Sequence, residues 1–292
     1  PATCNLQPAT CNLQPATCVV RMRERGFTLV ELSIVLVIIG LIAGGVLFGQ
    51  DLINNARLTR VVSELAQFKA KTNAFSLKFN QLPGDMPDFQ SYYPTCTGSI
   101  GTAGCNGNGN GSVDGVAAPN LDETCRFWEH LKLAGFGDDY ALNLNHQNAG
   151  SCMQGNSPKS AYNDMAYWYM VYNATVNTTI PGAAANTTYF ALSSGNVFGR
   201  IMTSGTTAIM SPPNAYNIDN KIDDGIPTKG MVIATNGGTN GGTSPAPNVS
   251  FKLYCVTFGP NAANNFDYPN YIYYKSYNSD SYGCVMFFKA GF

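Results

Sequence analysis

The sequence predicts an α+β protein in which a long N-terminal helix leads into a disulfide-bonded head with an antiparallel sheet. Three observations support this fold class. A long apolar run follows Gly26, an amphipathic helical pattern continues that run as far as Phe79, and short aromatic and β-branched segments fill much of the remainder. Cysteines are spread through that remainder. The expected architecture is therefore an anchored helix whose second half packs on a loop-rich head.

Residues 27–49 form the expected membrane-spanning part of the helix. This run contains about twenty mostly apolar residues, which is long enough to cross a hydrocarbon core. Arg21, Arg23 and Arg25 precede it, so the positive-inside rule places the N-terminus in the cytoplasm and the rest of the chain beyond the membrane. Glu31 lies inside the run, where an ionised carboxylate costs about 2.5–3.5 kcal/mol on insertion scales. Its charge therefore needs a partner.

The stretch Gly26-Phe27-Thr28-Leu29-Val30-Glu31-Leu32 resembles the processing site of type IV prepilins and type II secretion pseudopilins. The resemblance implies that a membrane peptidase cuts after Gly26, that the new amino terminus of Phe27 is methylated, and that the helix stays on the mature subunit. It also implies an assembly role for Glu31, because in a filament this carboxylate can meet the Phe27 amine of a neighbouring subunit at low dielectric.

Other interpretations of this segment remain open at the level of sequence. A cleavable secretory signal requires small residues at a cut site, which the chain supplies only loosely after the apolar run. A plain membrane anchor explains the length of the run but not Glu31. For Glu31 itself, the alternative is an unpaired polar residue that snorkels to the membrane interface.

Residues 1–21 contain a perfect seven-residue repeat, PATCNLQ. Such a repeat is typical of a tandem DNA repeat read in frame, so we expect Met22 to be the start and residues 22–26 to be the leader. Residues 1–21 are then not expected in the mature protein. The repeat's cysteines recur at equal spacing, which matches no common metal-ligand pattern.

Residues 50–80 are expected to continue the helix as an amphipathic segment. Apolar positions there recur at intervals of three and four, which is the helical period. Pro83 and Gly84 then supply a turn signal, and Leu82-Pro83-Gly84-Asp85 resembles the corresponding turn of a pseudopilin-like group. Residues 81–292 are expected to form the globular head. The apolar stripe consists of Leu58, Val61, Leu65, Phe68, Thr72, Phe75 and Phe79.

The cysteines beyond the repeat form an even set, which favours disulfides over metal binding in a compartment outside the cytoplasm. Sequence leaves the connectivity open. Pairing by neighbourhood gives Cys96–Cys105, Cys125–Cys152 and Cys255–Cys284.

Residues 105–114 have the outline of a calcium loop, with side-chain oxygens at alternate positions and a glycine at the sixth. Asparagines replace the usual aspartates, and Ala117 stands where a bidentate glutamate belongs. Low charge implies low affinity, so the sequence favours an Asn-Gly turn-rich loop over a weak calcium site. The candidate ligands are Asn106, Asn108, Asn110 and Asp114, with Asp122 or Glu123 to complete the set.

Elsewhere in the head, local patterns predict two helices and several strands. A helix is expected over 121–136, ended by Gly135, and a short proline-led helix is expected before Gly225. Asp219, Asp223 and Asp224 cluster there, and helix-end electrostatics and turn formation are their favoured role. Strands are expected within 165–176, 187–195, 230–235, 249–258 and 283–289.

Function follows from the resemblance more than from composition. The expected role is a structural pilin or pseudopilin subunit of a type IV pilus or type II secretion-type filament, with like subunits, a prepilin peptidase and an inner-membrane assembly platform as partners. The alternative is a membrane-anchored periplasmic binding or adhesive protein that does not polymerise. The formal net charge of −1 gives no reason to expect nucleic-acid binding. His130 and His146 belong to no catalytic constellation, so no enzymatic activity and no cofactor other than the weak calcium candidate are expected.

Overall fold

The computed structural model describes residues 27–96, 104–114, 123–137, 157–173, 183–194, 208–236, 255–258, 271–274 and 283–292. The fold is α+β, as the sequence predicted. The chain divides into two compact units between Asp51 and Leu52. The helices are α1 Leu29–Phe79, α2 Phe89–Tyr92, α3 Glu123–Leu133 and α4 Pro212–Ile222; the strands are β1 Tyr167–Asn173, β2 Thr187–Ser193, β3 Val232–Asn236, β4 Val256–Phe258, β5 Tyr271–Tyr274 and β6 Cys284–Lys289.

Helix α1 begins two residues later than expected. It begins at Leu29 rather than Phe27, because Thr28 Oγ1 accepts the Glu31 N–H as an N-cap, and it ends at Phe79, where the amphipathic pattern ends. Asn80 takes a left-handed backbone conformation with φ of 54°. Asparagine tolerates this conformation better than most residues, and a helix cannot continue through it.

The first part of α1 is apolar and exposed around its whole circumference. Leu29 is 88% exposed, Leu41 is 78% exposed and Phe48 is 74% exposed. Within the described residues, α1 is the one helix long and apolar enough to cross a membrane. A helix that is apolar on every face requires an apolar environment, either lipid or other protein.

Within the second unit, the later turns of α1 form one wall of the head. The predicted stripe is buried from Leu58 through Phe75. Phe68 lies at its centre, with ring centroids 4.9 Å from Trp128 and 5.5 Å from Trp168. Edge-to-face contacts of this kind are favourable beyond the area that they bury.

Glu64 ties α1 to the chain just before β1. Its carboxylate accepts hydrogen bonds from Ser160 Oγ at 2.7 Å, from the Ala161 backbone N–H at 2.7 Å and from Trp168 Nε1 at 2.8 Å. Hydrogen bonds to an ionised acceptor are stronger than neutral ones. This carboxylate therefore fixes the register of α1 against β1.

The main sheet has four antiparallel strands in the order β1-β2-β6-β3. Met170, Phe190, Phe288 and Val232 lie opposite one another across the strands and belong to the main core cluster beneath α1. The residues that alternate with them, such as Val171 and Phe287, form a second cluster on the opposite face. The period of two thus gives both faces of the sheet a buried apolar layer.

The remaining elements follow local signals. Gly135 has φ of 85°, and the bonds Phe136 N–H to Leu131 O and Gly135 N–H to Lys132 O end α3 as a Schellman motif. Pro212 opens α4, as a proline at the first helical position can. Strands β4 and β5 pair as a separate two-stranded sheet. Strand β5 was not predicted, and the start of the segment expected to hold β4 lies outside the described residues.

Two of the cysteine pairs expected by neighbourhood are present as disulfides, Cys96–Cys105 and Cys255–Cys284. Cys125 is also disulfide-bonded, and its expected partner Cys152 lies outside the described residues. The second bridge joins the start of β6 to the residue before β4.

Replacing Phe68 by alanine is expected to destabilise the head by about 3–5 kcal/mol, because the substitution leaves a cavity beneath both tryptophans. Leu77→Ala, at an 88% exposed position of the same helix, is the matched control and should stay within about 0.5 kcal/mol of the parent. Urea unfolding followed by tryptophan fluorescence measures both. Equal effects of the two substitutions would show that α1 is not part of the head core.

Candidate functional site

The first candidate site is the start of α1. Glu31 Oε2 accepts hydrogen bonds from the Thr28 backbone N–H at 2.8 Å and from Thr28 Oγ1 at 2.9 Å. In return, Thr28 Oγ1 accepts a bond from the Glu31 N–H at 3.3 Å. This reciprocal pair is a capping box. Glu31 therefore has a local role in its own chain that was missed, although the spacing Thr-x-x-Glu was there to indicate it.

The capping box does not remove the negative charge of Glu31. Thr28 supplies hydrogen bonds but no cation. Phe27, 84% exposed, lies immediately before the cap, and Gly26 lies outside the described residues. A free amine on Phe27 would add a positive charge directly beside this carboxylate at the helix start.

The described chain combines an exposed apolar helix, an acidic residue in the first turn of that helix, and an α+β head with disulfides. Residues 21–47 match the family model described as the prokaryotic N-terminal methylation motif, the signature of the prepilin-type segment of type IV pilins and pseudopilins. Comparisons with curated proteins and with solved structures gave no match. The chain thus carries a prepilin-type processing segment, and the matched part does not extend into the head.

The second candidate site is residues 105–114, called here the asparagine-rich loop. Asn106 Oδ1 accepts the Gln90 N–H, Asn108 Oδ1 accepts the Asn110 N–H, and Asn110 Oδ1 accepts the Ser112 N–H, each at 2.9 Å. These oxygens, expected as possible calcium ligands, are thus engaged as acceptors of backbone N–H groups. Bonds of this kind form turns, and an amide oxygen that accepts one of them keeps a second lone pair.

Asp114 faces the side-chain amides of the same loop. Asn110 Nδ2 donates to Asp114 Oδ2 at 2.9 Å, and Asn108 Nδ2 donates to Asp114 Oδ1 at 3.4 Å. The asparagines therefore present N–H donors to the one aspartate of the candidate set. The calcium site expected from these four residues stays a prediction.

Two buried carboxylates, neither of them among the primary calcium candidates, hold the loop in place. Asp85 accepts the N–H groups of Asn110 at 3.0 Å and Gly111 at 2.8 Å. Glu123 accepts those of Asn108 at 2.7 Å and Asp114 at 3.0 Å. Burial raises the pKa of Glu123 to about 8, and the nearby charges of Asp114 and Asp85 add to this rise.

Burial also raises the pKa of Asp85. At Gly107 a side chain would collide with the Asp85 backbone, because a Cβ there would lie 2.2 Å from its carbonyl carbon. The asparagine-rich loop therefore packs directly against the turn at Pro83-Gly84. The sequence shows no sign of this contact, because the two segments are far apart along the chain.

His130 has a structural role in this region. Its Nδ1 accepts the Gly84 N–H at 2.8 Å and its Nε2 lies 2.7 Å from Cys105 O, which fixes the proton on Nε2. The ring stacks on Phe89 with centroids 3.7 Å apart. Complete burial lowers the pKa of His130 to about 3, so the imidazole stays neutral and joins α3 to two loops.

Two groups of potential metal ligands occur among the described residues. In the first, Glu129 Oε1 lies 3.3 Å from Cys96 Sγ and 3.9 Å from Cys105 Sγ, but both sulfurs are in the disulfide and are not free thiolates. Burial raises the pKa of Glu129 to about 7, opposed by the charge of Arg126.

The second group is Asp219, Asp223 and Asp224 at the end of α4. Asp223 accepts the N–H groups of Met231 and Val232, and Asp224 accepts that of Ile226 at 2.8 Å. These bonds join the end of α4 to the turn before β3. They agree with the turn-forming role favoured from sequence.

Glu129→Gln is expected to stabilise the head at about pH 8 relative to the parent and to have little effect at about pH 4. The raised folded-state pKa means that the carboxyl contributes stability below its unfolded value of 4.5. That contribution is lost as pH rises through about 7, where the buried carboxyl ionises. The glutamine side chain of the variant does not ionise, so the variant does not lose this stability. The rise of the pKa from 4.5 to about 7 corresponds to about 3 kcal/mol.

Urea unfolding of parent and variant across this range of pH gives the difference in their free energies of unfolding. Glu123 and His130 are present in both proteins, so their contributions cancel. Asp164→Asn, at a side chain 101% exposed, makes the same change of charge and is the control. A pH-independent difference for Glu129→Gln would contradict the assignment.

Proposed function

We propose that the protein is a structural subunit of a type IV pilus or type II secretion-type filament, assembled through residues 27–49. The observation that carries the proposal is an apolar helix, exposed on every face, whose first turns lie within the matched segment 21–47; residues 27–49 contain a single acidic residue, Glu31. In a membrane its apolar faces contact lipid; in a filament they contact the same helix of neighbouring subunits.

The electrostatics of the helix start support this proposal. Cleavage after Gly26 leaves an amine on Phe27, and an isolated cation in an apolar environment is as unfavourable as the isolated carboxylate of Glu31. Attraction between the two charges is far stronger at low dielectric than in water. Pairing Glu31 of one subunit with the Phe27 amine of its neighbour neutralises both groups and fixes the axial register between subunits.

The proposed partners are like subunits, the prepilin peptidase and an inner-membrane assembly platform. The proposed location is the inner membrane before assembly and the periplasm or cell surface afterwards. The disulfides of the head support export from the cytoplasm. We propose a structural rather than a catalytic role; in its support, His130 is fully buried and both of its ring nitrogens are engaged by backbone groups.

The mature protein is expected to begin at an N-methylated Phe27. Mass spectrometry of the N-terminal peptide, from cells with and without a prepilin peptidase, measures this directly. Gly26→Val should block cleavage without altering membrane insertion and serves as the control. An intact bond between Gly26 and Phe27 in peptidase-containing cells would favour the non-polymerising membrane-anchored alternative.

Glu31→Ala and Glu31→Gln are both expected to insert, to be cleaved and to fold their heads, but to enter filaments at least about tenfold less efficiently. Each leaves the Phe27 amine buried without a counter-charge, a loss of roughly 3–5 kcal/mol. Thr28→Ala removes the hydroxyl of the capping box but keeps the carboxylate, so it should cost only about 0.5–2 kcal/mol of helix stability and should assemble nearly normally.

The measurement is the ratio of processed subunit in sheared filaments to processed subunit in membranes. Glutamine can keep the capping-box acceptor but not the charge, so this set separates the two roles of Glu31. Normal assembly of Glu31→Gln together with failure of Thr28→Ala would assign Glu31 to helix capping alone.

A further inference from the structure

The loop over residues 106–111 contains three consecutive Asn-Gly pairs, and this dipeptide is the one most prone to spontaneous deamidation. In that reaction the backbone nitrogen of the glycine attacks the side-chain carbonyl carbon of the asparagine, loses its proton and displaces ammonia to form a succinimide. Water then opens the ring to aspartate or isoaspartate. Glycine permits the attack because it has no side chain to obstruct the approach.

The three glycine nitrogens that would act as nucleophiles are all engaged by one short segment. Gly107 N–H donates to Met86 O at 2.8 Å, and Gly109 N–H donates to Asp85 O at 2.9 Å. Gly111 N–H donates to Asp85 Oδ2 at 2.8 Å. Each nitrogen must break this bond before it can turn toward the preceding side chain, and a nitrogen that donates to an acceptor elsewhere is a poor nucleophile.

The side-chain carbonyl groups are held as well. The oxygens of Asn106, Asn108 and Asn110 accept the backbone N–H groups of Gln90, Asn110 and Ser112, and the amide nitrogens of Asn108 and Asn110 donate to Asp114. Burial does not explain any protection here, because Asn108, Gly109, Asn110 and Gly111 are exposed to solvent. The hydrogen bonds are the only barrier that the described contacts provide at these exposed positions.

We propose that Asn106, Asn108 and Asn110 are deamidation sites that the Asp85-Met86 segment keeps unreactive in the folded head. Opening of this segment exposes the glycine nitrogens and starts the reaction. The inference concerns the head alone and does not depend on filament assembly.

Deamidation at two of the sites would also destabilise the closed conformation of the loop. Asn108 and Asn110 donate to Asp114, and an aspartate in either place would exchange that donor for a like charge beside Asp114. Asn106 uses only its oxygen in the described bonds, which an aspartate retains. The first two changes should therefore destabilise the loop more than the third.

The first test uses the full-length protein in detergent micelles, incubated at about pH 8 and analysed by site-resolved peptide mapping. Folded protein is compared with protein that is reduced and unfolded in urea. We expect deamidation of Asn108 and Asn110 to be at least about tenfold slower in the folded head, because at least two bonds must open before attack. Equal rates in the two states would overturn the proposal.

The second test changes the acceptor. In the parent, the two carboxylate oxygens of Asp85 accept the N–H groups of Asn110 and Gly111. Asp85→Asn leaves one side-chain oxygen for both, so the Gly111 nitrogen should be freed more often and deamidation at Asn110 should rise about fivefold or more. Asn106, whose following glycine bonds to Met86 O, should change less than about twofold. Asp88→Asn, on the same turn and exposed, is the control and should change neither.

Equal acceleration at Asn106 and Asn110, or none at Asn110, would overturn the role of Asp85. If Asp85→Asn does not fold, hydrogen exchange of the parent decides the matter: the Gly107, Gly109 and Gly111 amides should be protected, and rapid exchange at all three would contradict the proposal.

Discussion

The need to cover the first turns of α1 with apolar atoms is the constraint on which the rest of this protein depends. The segment 29–48 is apolar on every face, and each of its residues is exposed, so it is compatible with lipid or with other helices but not with water. Glu31 adds a second requirement to the first, because whatever covers the helix must also accommodate its charge. Lipid or neighbouring helices would satisfy the first requirement, and the proposed cation on a neighbouring subunit would satisfy the second.

A different constraint applies to the head, because much of its described chain outside the sheet has no regular secondary structure. Backbone N–H groups in such loops need acceptors when they are buried or packed. Buried or partly buried carboxylates supply them: Glu64 for the turn before β1, Asp85 and Glu123 for the asparagine loop, and Asp223 for the turn before β3. In a chain that is only 12% charged, these acidic residues substitute for regular secondary structure.

Sequence predicted the elements that depend on local pattern. The stripe from Leu58 to Phe75, the proline at the start of α4 and the glycine that ends α3 each have a period or a turn signal within a few residues. The sequence did not reveal Asp85 and Glu123 as anchors, since their partners are up to 26 positions away. Strand β5 was missed because its four residues, all aromatic or isoleucine, show no polar alternation. The capping box was visible in the sequence as Thr28-x-x-Glu31, but the charge of Glu31 indicates a cationic partner, whereas Thr28 supplies a neutral hydroxyl.

The central claim is that the charge of Glu31 is neutralised between subunits, and the most direct measurement is the structure of an assembled filament by electron cryomicroscopy. The account predicts that the Glu31 carboxylate lies about 2.7–2.9 Å from the Phe27 nitrogen of a neighbouring subunit. A filament in which that nitrogen lies beyond about 6 Å from every Glu31 carboxylate, outside the range at which an opposite charge favours the ionised form, would contradict it.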